Sequence, residues 1–277
     1  MQLRSKLLAL AAGLAFAASA QADIKIGVIS SATGPVSLIG IPQKNTVALM
    51  PTEIAGEKVE YVTFDDASDP SNTVTLVKKL ISEENIDALV GPSSSPSAMA
   101  ILDFIAEAKV PTLAPVGTIA VVVPMDDKRR WVFKTTQNDG LVAEKLFKHM
   151  QETGKKTIGF IGTGDTFGET WYKVAQDYAD KYGVEIVANE RFKRPDTSVT
   201  GQALKVLSAK PDAVLIAAPG GPAVLPQATL ADMGYKGTIY QTHGAALKEF
   251  IKLGGKKVEG TILGGSLMLA PEDAPDS

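Results

Sequence analysis

Three consecutive serines, Ser93, Ser94 and Ser95, stand directly before Pro96 and a run of helix-forming residues. Ser95 suits a helix N-cap, with Pro96 at the first helical position, where its missing N–H costs nothing. Further on, Pro115-Val116-Gly117-Thr118 makes a second polar turn after a short apolar run. Hydroxyls, free backbone N–H groups and a helix N-terminus suit a small anion, most simply a carboxylate. The plainer alternative is that the serines only cap a helix, and the stretch by itself leaves both open.

The other chemistry-bearing residues form no catalytic set. Asp65, Asp66 and Asp69 cluster, but they lack the calcium-loop spacing and its closing Glu, so capping and solvation are expected and no metal site is predicted. The chain has two histidines. His149 falls in an amphipathic helix and reads as a surface residue. His243 follows a strand end in Gln241-Thr242-His243-Gly244, a cleft position in an open α/β sheet. No G-x-S-x-G, H-E-x-x-H or Walker loop occurs. Gly162 and Gly164 match the start of a dinucleotide fingerprint, yet the third glycine position falls on Phe167, with Gly168 one residue late. A tight turn showing Asp165, Thr166 and Phe167 to a cleft fits better, with Asp165 capping the next helix. No enzyme and no cofactor is predicted; a secreted dehydrogenase is the alternative that nicotinamide titration would detect.

The elements that must position these residues alternate. Strands are expected at 24–30, 59–64, 86–90, 110–114 and 131–134, and again at 157–161, 184–188, 213–217, 237–241 and 258–263. Helices are expected at 45–50, 72–82 and 97–108, then at 141–150, 168–182, 199–208, 223–233 and 247–252. Gly34-Pro35 and Gly40 read as a turn. Such alternation implies parallel sheets built from right-handed βαβ units. The pattern restarts near residues 135–140, which predicts two similar α/β lobes.

At 277 residues the chain is long enough for two ordinary domains. Its net charge of −3, with Lys and Arg scattered, leaves no nucleic-acid footprint. The absence of cysteine excludes disulfides, thiol chemistry and a lipidated N-terminal Cys. Arg4 and Lys6 precede an apolar core at 7–18, and Ala20-Gln21-Ala22 fits the small-x-small rule. A cleaved signal peptide is therefore predicted over 1–22, with a mature chain beginning at Asp23, free in a periplasm. Mass measurement of the secreted N-terminus tests this.

As a set, IKIGVISSATGPVSLIG, VTFDDASDP, LVGPSSSPSA, VPTLAPVGT, RRWVFKT and GDTFGE resemble the leucine/isoleucine/valine-binding class of periplasmic substrate-binding proteins of ABC importers. The resemblance covers essentially all of the mature chain. It implies a type I two-lobed α/β architecture that closes on a ligand and delivers it to an inner-membrane permease, and a monomer is expected. It places lobe 1 at 23–135, lobe 2 at 136–262 and the start of a crossover back to lobe 1 at 263–277. Family members run further, so the resemblance also implies that the C-terminal part of the fold is missing and lobe 1 incomplete. A ligand-sensing receptor domain is a further reading of such an architecture.

Carried over by position, the resemblance implies that Ser95 and Thr118 hold a ligand carboxylate and that the Val116 backbone contacts the ligand. Ile39, Phe167 and Pro219 replace common aromatic walls. His243 stands where amino-acid binders carry the acid that pairs with the ligand ammonium. Without that acid a buried ammonium costs several kcal/mol. The expected ligand is therefore an aromatic or otherwise hydrophobic carboxylate of hydroxybenzoate or cinnamate type, with a branched-chain amino acid as the alternative.

Overall fold

The computed structural model describes residues 24–265. The predicted signal peptide with its cleavage after Ala22, and most of the predicted 263–277 crossover, lie outside the described residues.

Two sheets organise the chain. The first contains β1 (Ile24–Ser30), β2 (Glu53–Ile54), β3 (Glu57–Asp65), β4 (Ala88–Val90), β5 (Thr112–Ala114) and β6 (Val132–Lys134), in the order β2-β3-β1-β4-β5-β6. All its pairings are parallel except β2 with β3. The second contains β7 (Thr157–Thr163), β8 (Glu185–Phe192), β9 (Ala213–Ala217), β10 (Thr238–Gln241) and β11 (Ile262–Leu263), ordered β11-β10-β9-β7-β8 and all parallel. In both sheets the first strand lies between the second long strand and everything that follows. Each therefore has a topological switch point at equivalent places, β1/β4 and β7/β9, where open α/β sheets bind ligands.

Helices between the strands are α1 (Ser37–Thr46), α2 (Pro70–Ser82), α3 (Ser95–Ala100), α4 (Leu102–Ala108), α5 (Asp139–Glu152), α6 (Thr166–Tyr182), α7 (Thr200–Ser208), α8 (Val224–Asp232) and α9 (Lys248–Gly254). The second sheet is covered on both faces. Phe147, Phe160 and Trp171 centre one core, while Val206, Ile216 and Phe250 belong to the other. The first sheet has one large core, around Leu80, Leu89, Ile101 and Ile105 under α2, α3 and α4. On its opposite face Leu113 and Phe133, paired in register, remain 43% and 57% exposed. No described helix is long and apolar enough to cross a membrane.

Several expectations shift in the structure. The helix expected at 45–50 is instead α1, which starts eight residues earlier, with Pro42 inside it and only a short 3-10 turn at Val47–Leu49. The helix expected at 97–108 is two helices that meet at Ile101, whose φ of −101° and ψ of −3° turn the axis while its side chain stays buried. The strand expected at 184–188 runs to Phe192, because Asn189, Glu190 and Arg191 keep their ladder with β7 despite being polar. His149 is not a plain surface residue: it is half-buried, and its Nδ1 lies 2.9 Å from the hydroxyl of buried Tyr240.

The three clustered aspartates are occupied as hydrogen-bond acceptors. Asp69 caps α2 by accepting from the N–H groups of Ser71 and Asn72. Asp65 accepts from Ala67 N–H at 2.9 Å. Asp66 is fully buried and joins β3 to its neighbours through Ser31, Ser68 and Thr73.

Candidate functional site

Loops at the carboxyl ends of the strands of both sheets face one another across a cavity of about 150 Å³. An apolar cavity of that size is large enough for a single aromatic ring. Lobe 1 supplies Ile39 and Gln43 from α1, Ser93, Ser94 and Ser95 after β4, and Pro115 and Gly117 after β5. Lobe 2 supplies Phe167, Arg194, Pro219, His243, Gly244 and Leu247, and Thr136 lies on the crossover.

The serine turn depends on Gly91. Its φ is +114°, and a Cβ there would sit 2.1 Å from the Ile29 carbonyl oxygen, so only glycine lets β4 turn this tightly against β1. Ser93 Oγ then accepts the Ser31 N–H at 3.0 Å. Ser94, not Ser95, is the N-cap: its extended backbone presents Oγ to the Ser97 N–H at 3.3 Å. Ser95 becomes the first helical residue and Pro96 the second. This frees the Ser95 hydroxyl for the cavity, where it accepts the Thr118 N–H at 3.3 Å. Because α3 has only six residues, its dipole adds little to the site.

The second turn is pressed against lobe 2. A Cβ on Gly117 would fall 2.6 Å from Phe167 Cε2 and 2.9 Å from His243 Nε2, so this glycine packs directly against lobe 2. Thr118 is buried and does not line the cavity. Its hydroxyl meets that of Thr170 at 2.8 Å. Thr170 already donates to the Thr166 carbonyl, so Thr118 donates to Thr170 and ties lobe 1 to α6. Val116 is also buried behind the wall, and its carbonyl accepts the Thr136 hydroxyl at 2.6 Å. Of the expected ligand contacts, Ser95, Ile39, Phe167, Pro219 and His243 come together at the cavity, while Val116 and Thr118 stand behind it.

Asp165 caps α6 as expected, accepting from the N–H groups of Phe167 and Gly168. It also receives the Arg194 Nε at 2.5 Å. Burial alone would raise its pKa, but Arg194, the Thr163 hydroxyl and the Phe167 N–H together hold it below the usual carboxylate range. Arg194 itself is 11% exposed in its side chain, and its Nη2 is buried without a partner. This cation on the cavity wall was not foreseen. The signal lay in its place just past β8, at the carboxyl end of a strand that continues beyond its apolar stretch.

His243 packs edge-on to Phe167 at 5.9 Å between ring centroids and lies 5.6 Å from Trp171. Burial, with the Lys134 cation nearby, pushes its pKa down to about 4, so the ring is neutral at ordinary pH. Asp139, at the start of α5, was likewise unforeseen. It is fully buried, and its Oδ1 lies 3.7 Å from His243 Nε2. Burial pushes its pKa up to about 7, against the pull of Lys134 and of the Ile119 and Trp171 N–H groups. A neutral imidazole and a half-protonated acid thus share one corner of the site.

Two lobes with matched sheet orders, closing loop to loop on a ring-sized chamber, constitute a ligand clamp. Residues 23–276 match the family described as periplasmic binding protein. The chain belongs to that family. This periplasmic binding protein is 29% identical over 271 residues to the Leu/Ile/Val-binding protein BraC3 of Rhizobium johnstonii, covering 95% of its own length and 72% of BraC3. It is 49% identical to the solved extracellular ligand-binding receptor from Rhodopseudomonas palustris HaA2, with a TM-score of 0.90 over 93% of this chain and 72% of that one. A solute-binding protein of an ABC transporter from R. palustris, solved in complex with 4-hydroxybenzoate, shares the fold at 23% identity and a TM-score of 0.73, over 80% of this chain and 62% of that one.

Proposed function

We propose that this periplasmic binding protein takes up a small hydrophobic or aromatic carboxylate, of hydroxybenzoate or cinnamate type, between lobes spanning 23–135 and 136–262, and presents it to an inner-membrane permease. One observation carries the reading: the cavity wall bears a fixed cation, Arg194, with serine hydroxyls, and no Asp or Glu among the described residues. Ile39, Pro115, Phe167, Pro219 and Leu247 supply the apolar remainder. A flat, uncharged body with one anionic end matches this lining. Charge-assisted hydrogen bonds from Arg194 contribute about 1.5–3 kcal/mol each.

A branched-chain amino acid is the second reading, favoured by the Asp139 carboxylate behind His243 and by the names of relatives such as BraC3. Thermal-shift measurement separates the two. Saturating benzoate, 4-hydroxybenzoate or 4-coumarate is expected to raise the melting temperature by about 5 °C or more, since a ligand at a hundred times its Kd adds about 2.7 kcal/mol. Leucine and valine are expected to leave it unchanged; stabilisation by them and not by the aromatic acids overturns the proposal.

Arg194→Gln removes the cation and leaves a shorter polar side chain. Calorimetry is expected to show aromatic-acid affinity falling about tenfold to a hundredfold, the equivalent of one lost charged hydrogen bond. Unchanged affinity would move the anion end away from Arg194.

A further inference from the structure

Asp139 opens α5 with its side chain wholly out of solvent, and the nearby Ile119 and Trp171 N–H groups close no well-formed hydrogen bond to its carboxylate. Both ring nitrogens of His243 are unpartnered as well. The imidazole forms part of the cavity wall, and the acid stands directly behind it at 3.7 Å. Buried polar groups are almost always satisfied, so a buried acid and imidazole without well-formed hydrogen bonds at the edge of a ligand chamber call for an explanation.

We propose that Asp139 and His243 act as one proton-holding unit, in which Asp139 positions His243 and a bound carboxylate makes the unit keep a proton that the empty protein would release. This rests on the carboxylate reading of the cavity and specifies how that site depends on pH.

The charged surroundings are few. Lys134, from β6, faces both groups, with its Nζ held by Thr136 and the Gln137 carbonyl. Arg194 lies on the same cavity wall and is paired with Asp165. From α6 come only the neutral rings of Phe167 and Trp171, and from lobe 1 the backbone around Gly117 and the Ile119 N–H. The empty unit therefore holds one proton, on Asp139, below about pH 7 and none above it. A ligand carboxylate held at Arg194 and the serine hydroxyls lies in the same chamber as His243, and its negative charge raises the proton affinity of the whole unit.

The sign follows from linkage. Below about pH 7 empty and bound states hold the same proton, so affinity is flat. Above it only the complex keeps the proton, and affinity falls by up to about tenfold per pH unit. A zwitterionic amino acid would reverse this, because its ammonium favours the ionised Asp139 and expels the proton.

Titration calorimetry of the full chain with benzoate, across about pH 6 to 9 in two buffers of different ionisation heat, tests the proposal. The expected result is no proton uptake at the acid end, approaching one proton per site at the alkaline end, with affinity falling in step. Asp139→Asn, which keeps the shape without the titration, is expected to bind benzoate with no such slope. If that variant does not fold, the His243 ring resonance of the wild-type chain serves: its midpoint should rise when benzoate binds, and His149 is the only other imidazole. Benzoate binding with a flat profile, proton release, or an unaltered slope in Asp139→Asn overturns this inference and leaves the carboxylate reading standing. Failure of the wild type to bind benzoate or any other aromatic acid at every pH overturns the reading itself.

Discussion

Gly117→Ala is expected to abolish most of the ligand affinity while leaving the empty protein as stable as before. The added methyl would sit 2.6 Å from Phe167 Cε2, 2.9 Å from His243 Nε2 and 3.0 Å from Phe167 Cδ2. Neither ring can step aside. Phe167 is 3% exposed at the first turn of α6, whose N-cap Asp165 is itself clamped by Arg194, and the His243 side chain is 9% exposed. The backbone at residue 117 needs no left-handed conformation, so alanine brings no local strain. The clash arises only where lobe 1 meets lobe 2, and separating the lobes removes it. Overpacking of this kind costs about 1–3 kcal/mol. Here that cost falls on the closed state alone, which is the state the ligand stabilises. Affinity should drop about tenfold to a hundredfold. The melting temperature without ligand should hold, and small-angle scattering should show a more open particle. Affinity within twofold of wild type would mean that the lobes accommodate the methyl without parting.

How much of this was legible in the sequence depends on which interactions set each feature. The strands and most helices followed from local periodicity, since apolar runs such as 213–217 are buried on both faces and have no other stable place. Asp69 and Asp165 were readable as caps because capping is a contact between near neighbours, whereas the burial of Asp66 among Ser31, Thr73 and Ser97 is set by contacts distant in sequence. Helix α1 was hidden by Gly40 and Pro42, residues that mark turns when judged locally. Gly40 is required instead by packing, for a Cβ there would meet the Ser31 carbonyl oxygen at 2.0 Å. Arg194 was missed because β8 was ended where its apolar run ends, although the ladder with β7 carries on through polar residues. Asp139 is the clearest case. An acid in the first turn of a helix ordinarily faces water and favours the dipole. Its burial against His243 comes from the packing of α5 against α6 and the His243 loop, which no window of sequence contains. The same holds for Thr118, whose hydroxyl serves the contact between lobes rather than the cavity.

Asp66→Ala is expected to be the most damaging single change to lobe 1, and to weaken ligand binding from a distance. One carboxylate oxygen accepts the Ser31 hydroxyl at 2.7 Å and the Ser68 N–H at 2.9 Å. The other accepts the Thr73 hydroxyl at 2.8 Å and lies 3.4 Å from that of Ser97. Through these contacts one buried side chain joins the end of β3 to the end of β1, to α2 and to α3. Alanine leaves the Ser31 hydroxyl and the Ser68 N–H without an acceptor. Thr73 retains the Asp69 carbonyl at 2.9 Å. A buried donor left unpaired costs about 1–3 kcal/mol; the Ser31 hydroxyl bears this in full and the half-buried Ser68 N–H about 1, which makes about 2–4 kcal/mol for the pair. Against a total stability of about 5–15 kcal/mol that is a large fraction. Melting should fall by about 5–15 °C. Asp66→Asn, which keeps an acceptor oxygen in place, should recover part of the loss. The effect reaches the cavity because the Ser31 N–H fixes Ser93 Oγ, and Ser97 belongs to the turn of helix that carries Ser94 and Ser95. Aromatic-acid affinity in Asp66→Ala should therefore fall together with stability, whereas a variant at an exposed residue such as Glu107→Ala should move neither. A melting temperature within about 1 °C of wild type would show that water replaces the carboxylate at no cost, and would remove Asp66 as the tie between the lobe and its binding turn.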